Sequence, residues 1–262
     1  MNGLRIGLDE RTLNKVPQVT LTFWIIKVLA TTVGETAADL LATRLGLGLT
    51  VTSYVMSALF IACLCVQVRA KDYSPPLYWL TVVLISVVGT LVSDNLVDGF
   101  GISLVTTSLV FSAAMLAMFG LWYRSQRTLS IHSIVTRRRE LYYWGAILFA
   151  FAMGTSVGDL ISETINIGYG PTALVFAGLI ALVAAARYAL RSDAILTFWI
   201  AYIMTRPLGA SIGDYLAKPH IAGGLGLGTI VTSLVFLAAI LGLVAFLWMR
   251  RPDRLEAEGA VA

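Results

Sequence analysis

Charged side chains are scarce in this chain. Asp, Glu, Lys and Arg make up 13% of its residues, about half the roughly 25% found in soluble globular domains. Histidine occurs only as His132 and His220, and cysteine only as Cys63 and Cys65. The two cysteines stand two apart inside an apolar stretch, which on a helix puts them on different faces, so they read as ordinary span residues rather than a disulfide or a metal motif. With so few imidazole and thiolate ligands, a dedicated zinc or copper site is disfavoured. His-Glu-x-x-His does not occur, and no Gly-rich segment is followed by Gly-Lys-Thr/Ser, so neither metalloprotease nor P-loop chemistry is expected. The chain is therefore not read as an enzyme. Its net charge is +4, yet the basic residues lie between apolar stretches and form no nucleic-acid-binding face. The first 17 residues are polar, end in Pro17 and precede an apolar run of spanning length, so no cleavable signal is expected.

Apolar length is what the sequence has in abundance. Hydrophobic residues make up 58%, and the mean hydropathy is +0.82. Stretches of about twenty apolar residues, enough to cross roughly 30 Å of hydrocarbon, recur near 19–42, 50–68, 77–97, 102–123, 142–164, 171–190, 194–216 and 227–249. Short Gly-rich links (Gly46-Leu47-Gly48, Gly99-Phe100-Gly101, Gly168-Tyr169-Gly170, Gly223-Gly224-Leu225-Gly226) follow every odd-numbered span, and they read as tight turns. The remaining links and the termini carry the basic residues, among them Arg5, Arg11, Lys15, Arg69, Lys71, Arg124, Arg127, Arg137, Arg138, Arg139, Arg187, Arg191, Arg250, Arg251 and Arg254; only Arg44 and Lys218 fall clearly opposite. The positive-inside rule then places both termini in the cytoplasm and the Gly-rich links outside.

A repeat organises these spans. Trp24, Trp79, Trp144 and Trp199 each lie 15 residues before an aspartate, namely Asp39, Asp94, Asp159 and Asp214, and a glycine (Gly34, Gly89, Gly154, Gly209) stands five before each aspartate. Thr107-Ser108-Leu109-Val110-Phe111 recurs unchanged at 232–236, with a near copy at 172–176. The aspartates are 55, 65 and 55 residues apart, the pattern of a duplicated duplication with extra residues in the central basic loop. Each unit holds two spans, so all four enter the membrane in the same direction, as parallel repeats about the membrane normal. The expected fold is an all-α polytopic membrane helix bundle of about eight transmembrane helices with pseudo-two-fold or pseudo-four-fold symmetry. Its expected parts are an N-terminal segment (1–18), repeats over 19–70, 77–124, 142–191 and 194–250, a basic loop (125–141) and a tail (251–262).

Four tandem two-helix repeats, each with its tryptophan, make the chain resemble a family of bacterial membrane proteins defined by a repeat of unknown function. The resemblance covers nearly all eight spans. It implies the architecture and a bacterial inner (plasma) membrane location, and it carries no activity with it.

The recurring residues pose the functional question. Amphipathic tryptophan rings tend to sit at membrane interfaces, so the four tryptophans are read as interfacial anchors. Fifteen helical residues, about 22 Å, then place the aspartates in the outer part of the bilayer. There an ionised carboxylate is costly, and the helix C-terminus disfavours it further. Either each aspartate accepts hydrogen bonds from its own loop or from nearby hydroxyls, or the four converge on a cation, or they are protonated acids in a proton path. Glu35 with Asp39, Asp94 with Asp98, and Asp159 with Glu163 are four apart and share helix faces. The fourth unit breaks this pattern with Lys218 four beyond Asp214. Oxygen-rich clusters of this kind suit hard cations such as Mg²⁺, Ca²⁺ or Mn²⁺. Lys27 is expected to snorkel to the inner interface. Arg206, in mid-span and followed by the helix-kinking Pro207, needs an acidic partner.

These residues lead to an expectation of a secondary carrier or exporter for a small, divalent cation. The candidate metal ligands are Asp39, Asp94, Asp159 and Asp214, and the wider site adds Glu35, Asp98, Glu163 and Arg206. The alternatives are a cation channel or a non-transporting membrane sensor or scaffold. A bound divalent cation is the sole cofactor contemplated; the expected partners are the lipid bilayer, the cation and a second copy of the chain in a homo-oligomer.

Overall fold

The computed structural model describes residues 14–250. Most of the N-terminal segment and the expected tail (251–262) lie outside the described residues. Eight long helices follow in order: α1 Leu21–Asp39, α2 Leu49–Arg69, α3 Pro75–Asp94, α4 Leu104–Gln126, α5 Arg137–Asp159, α6 Tyr169–Ala189, α7 Ala194–Ala217 and α8 Thr229–Met249. Helix starts use ordinary capping chemistry. The side chains of Thr20, Ser103, Thr136 and Asp193 accept from the backbone N–H three residues on, satisfying donors that the first turn leaves unpaired. Pro75 opens α3, where its missing N–H costs nothing.

The helices form two rings. The inner ring runs α1, α3, α5, α7 and back to α1, each packed on the next. Outer helices do not pack mainly on the inner helix of their own repeat: α2 lies on α3, α4 on α5, α6 on α7, and α8 closes the circle on α1. Each repeat thus completes its neighbour, and the last helix completes the first. The apolar windows of α3, α5 and α7 are at least 56% buried, whereas those of the four outer helices are at most 22% buried. Leu59, Ile61, Leu109, Leu116, Leu174, Leu182, Leu234 and Leu241 are exposed on these outer helices, a surface suited to hydrocarbon rather than water.

Seven of the eight helices are long and apolar enough to cross a membrane, making this a multi-pass membrane bundle. The exception is α1, which carries Lys27, Glu35, Asp39 and four threonines. Those polar groups are tolerable because α3, α7 and α8 pack around the helix and bury Lys27, Thr31, Thr32, Glu35 and Thr36, while apolar Leu21 and Ile25 stay exposed.

Close contact within the inner ring falls on the repeat glycines. A Cβ on Gly34 would lie 1.9 Å from Ser86 Oγ, one on Gly89 2.8 Å from Phe151 Cβ, one on Gly154 2.7 Å from Arg206 Cβ, and one on Gly209 2.1 Å from Thr31 Oγ1. In every case the neighbour stands three residues before the glycine of the next repeat, so one crossing recurs four times around the axis. Small residues let membrane helices approach this closely. Gly89→Ala is therefore expected to overpack the α3–α5 crossing and cost about 1–3 kcal/mol, read as a lowered midpoint of thermal unfolding. An unchanged midpoint would show that the crossing can relax.

The tryptophans correct the interfacial expectation. Trp79, Trp144 and Trp199 are 1%, 2% and 5% exposed, and only Trp24 is half-buried. Each follows another aromatic, giving Phe23-Trp24, Tyr78-Trp79, Tyr143-Trp144 and Phe198-Trp199. These rings interlock edge-on or tilted into one layer across the bundle. Tyr78 and Tyr143 join their hydroxyls at 2.5 Å. Burying rings against one another gains more apolar contact than leaving them at the interface, and a closed ring of four inner helices permits it.

Candidate functional site

Three side-chain layers stack along the bundle axis beyond the aromatic layer. The first holds Lys27. It does not snorkel: it is fully buried, its Nζ donates to Thr205 Oγ1 at 3.0 Å, and it lies 4.1 and 4.2 Å from the ring centres of Phe151 and Tyr202. α1 is an inner helix, so its lysine has aromatic faces within reach where an interface was expected. Cation–π contact in a dry setting partly replaces the lost hydration.

The second layer is built by Arg206 of α7, also fully buried. Its Nη2 donates to Glu35 Oε2 at 3.0 Å, to Thr155 Oγ1 at 2.7 Å and to the Thr90 hydroxyl, and its Nη1 donates to the Thr31 carbonyl at 3.1 Å. One guanidinium thereby touches all three other inner helices. The acidic partner that Arg206 required is Glu35. Pro207, the next residue, faces the small surface of α5, where Gly154 and Gly158 admit it. The repeat explains the layer: Glu35, Thr90, Thr155 and Ala210 each follow the repeat glycine directly, and Thr31, Ser86, Phe151 and Arg206 each precede it by three. Thr90 and Thr155 were missed as site residues, although aligning the four repeat units by their glycines puts both in the column of Glu35.

The third layer is acidic. Glu35, Asp39, Asp94, Asp98, Asp159, Glu163, Asp214 and Lys218 line one cavity of about 90 Å³, with Val97 and Leu104 as its apolar wall. All four repeat aspartates are thus brought to the same space. Asp39, Asp94 and Asp159 each stand where the α-helix gives way to a π-helical turn (Leu40–Arg44, Asn95–Gly99 and Leu160–Thr164), and none makes a side-chain capping bond. Such π turns often mark functional positions. Among the described residues no hydrogen bond reaches these three carboxylates, so they do not cap their own loops. Glu35 and Asp214 are buried at 5% and 2% exposure, whereas Asp98 and Glu163 are exposed at the rim.

The fourth repeat differs. α7 continues to Ala217 without a π turn, and Lys218 follows it. Its Nζ lies 3.1 Å from Glu163 Oε1 and 3.5 Å from Asp214 Oδ2, and it donates to the Tyr169 hydroxyl at 3.0 Å. Tyr169 in turn donates to Glu163 at 2.8 Å. Burial lowers the affinity of the Lys218 amine for its proton, but the Asp214 and Glu163 carboxylates outweigh that and hold it above the ordinary lysine range. Lys218 therefore stays an ammonium at any pH where the protein is studied.

The donor set suits a hard cation. One carboxylate oxygen each from Asp159, Glu163 and Asp214 lie within 4.8 Å of one another, and oxygens on opposite sides of a Ca²⁺ ion are about 4.6–5.2 Å apart, those around Mg²⁺ about 4.0–4.2 Å. Seven carboxylates face two cations, Arg206 at the floor and Lys218 at the rim.

A family model, the Repeat of Unknown Function (DUF347), matches the chain four times, at residues 22–73, 77–128, 142–193 and 197–253. Neither a curated protein nor a solved structure matches it.

Proposed function

The chain belongs to the family defined by the DUF347 repeat, and from that premise we propose that it is a secondary carrier for a small cation, divalent by the number of acids on offer. One observation carries the reading: four repeat-equivalent aspartates share a single cavity, where three of them meet no donor among the described residues. Uncompensated carboxylates in an apolar bundle are costly unless a cation or water meets them.

The blocked axis supports a carrier over a channel. Inward of the acids, the Arg206–Glu35 layer and then the interlocked aromatic rings fill the space between the inner helices. A cation entering from the acidic rim meets a guanidinium, and passage requires the inner helices to move. The basic residues cluster at the opposite end from the cavity, which by the positive-inside rule sets the cavity on the outer face of a bacterial inner membrane with both termini inside. The protein so read binds and moves an ion and makes no covalent change.

Uptake of Mn²⁺, Mg²⁺ and Ca²⁺ into proteoliposomes, paired with calorimetric titration of the same ions, tests this. One ion is expected to be taken up and to bind the purified protein. Asp39→Asn, Asp94→Asn, Asp159→Asn and Asp214→Asn are each expected to cut uptake at least about fivefold, a coupling of roughly 1 kcal/mol or more. Uptake that all four variants leave unchanged would overturn the site.

A further inference from the structure

At the basic end of the bundle, far from the acidic cavity, lies a larger space of about 560 Å³. It opens between the second half of α6, the first turns of α7 and the start of α1, and the central basic loop forms one wall. Ile180, Val183, Ile195 and Phe198 make its interior apolar, while Arg187 and His132 stand on its lining. Its volume is in the range of ligand pockets, so it is far more than a packing defect.

The repeat shows what is unusual here. Trp79, Trp144 and Trp199 are buried by neighbouring side chains, and Trp24, which lines this crevice, is the one left half-buried. The apolar volume beside Trp24 is therefore unfilled by the described residues. It is bordered by α6, an outer helix whose exposed leucines face hydrocarbon. At its end Arg187 makes one hydrogen bond among the described residues, to the Ser192 carbonyl at 3.3 Å, and Tyr188 beside it is 86% exposed. An apolar slot continuous with the lipid-facing surface, ending in a guanidinium and an exposed aromatic ring, matches a lipid end to end: acyl chain inward, anionic phosphate at the basic rim.

We propose that this crevice is a binding site for one anionic phospholipid, its acyl chain against Trp24 and Phe198 and its phosphate at Arg187. The proposal is independent of the carrier reading. The full-length protein, stripped of lipid in mild detergent, is titrated with phosphatidylglycerol or with phosphatidylcholine of the same chains, and bound lipid is counted by native mass spectrometry. One saturable phosphatidylglycerol is expected, held about tenfold more tightly than phosphatidylcholine and unaffected by millimolar inorganic phosphate. Ala184→Trp, which fills the slot, is expected to abolish the saturable site. Arg187→Gln, a change at an exposed side chain, is expected to keep lipid binding but lose the tenfold preference. Absence of a saturable lipid on the full chain overturns the proposal, as do full competition by free phosphate, retention of the site in Ala184→Trp, and retention of the preference in Arg187→Gln.

Discussion

Replacing Glu35 with leucine is expected to destabilise the protein strongly. Among the described residues Glu35 is the only carboxylate paired with Arg206, which is fully buried and reaches no other acid there. Without it the guanidinium keeps two threonine hydroxyls and one carbonyl, which are neutral, and it cannot leave the bundle. Removing one member of a buried ion pair costs about 3–5 kcal/mol, which corresponds to a fall of roughly 10 °C in the thermal midpoint at a few degrees per kcal/mol. Arg206→Leu should cost a similar amount, because it strands the Glu35 carboxylate beside a single hydroxyl, that of Thr90. Removing both is different. A buried pair replaced by apolar residues is often neutral in stability, so Glu35→Leu combined with Arg206→Leu is expected to recover most of the loss. A double variant no more stable than either single variant would mean that the guanidinium's bonds to Thr31, Thr90 and Thr155 matter more than its charge partner.

Lys218→Met is expected to tighten cation binding by about ten- to a hundredfold, an effect of roughly 1–3 kcal/mol. Lys218 holds its ammonium between Glu163 and Asp214, two of the three carboxylates that come close enough to share an ion. It is a cation tethered to the site, and an incoming ion must displace it. Its side chain is 29% exposed and that of Glu163 44%, so solvent screens the pair and its share of stability is at most about 1 kcal/mol. Affinity should rise, while the thermal midpoint of the ion-free variant should fall, because the buried Asp214 carboxylate, 3.5 Å from Lys218, is left without its cation until an ion binds. Tight binding should also slow release, so the same variant is expected to show slower steady uptake. The measurements are calorimetric affinity and initial uptake rate side by side. Equal or weaker affinity in the methionine variant would remove Lys218 from the ion's path.

The sequence made the repeat legible because a duplicated unit keeps its chemistry at fixed offsets. Trp, Gly and Asp recur at one spacing, and the acids four apart share helix faces without any tertiary information. Arg206 could be assigned an acidic partner from depth alone, since an arginine in mid-span has no water to turn to. Lys27 could not be placed. Its position near a helix end fits snorkelling as well as burial, and which occurs depends on whether α1 faces lipid or lies inside the inner ring. The tryptophans failed for the same reason, because an indole at a given depth reads the same whether its neighbour is a headgroup or another ring.

Periodicity along one chain therefore determined that there are eight helices, four units and a recurring carboxylate, because helix length, hydropathy and spacing are local quantities. Which helix lies against which was decided only in three dimensions. The contact between α8 and α1 that closes the circle joins residues some two hundred positions apart, and packing of each outer helix on the next repeat leaves no mark in the spacing of residues along the chain. That closure turns the inner helices inward together, and through it four separate aspartates come to face one cavity.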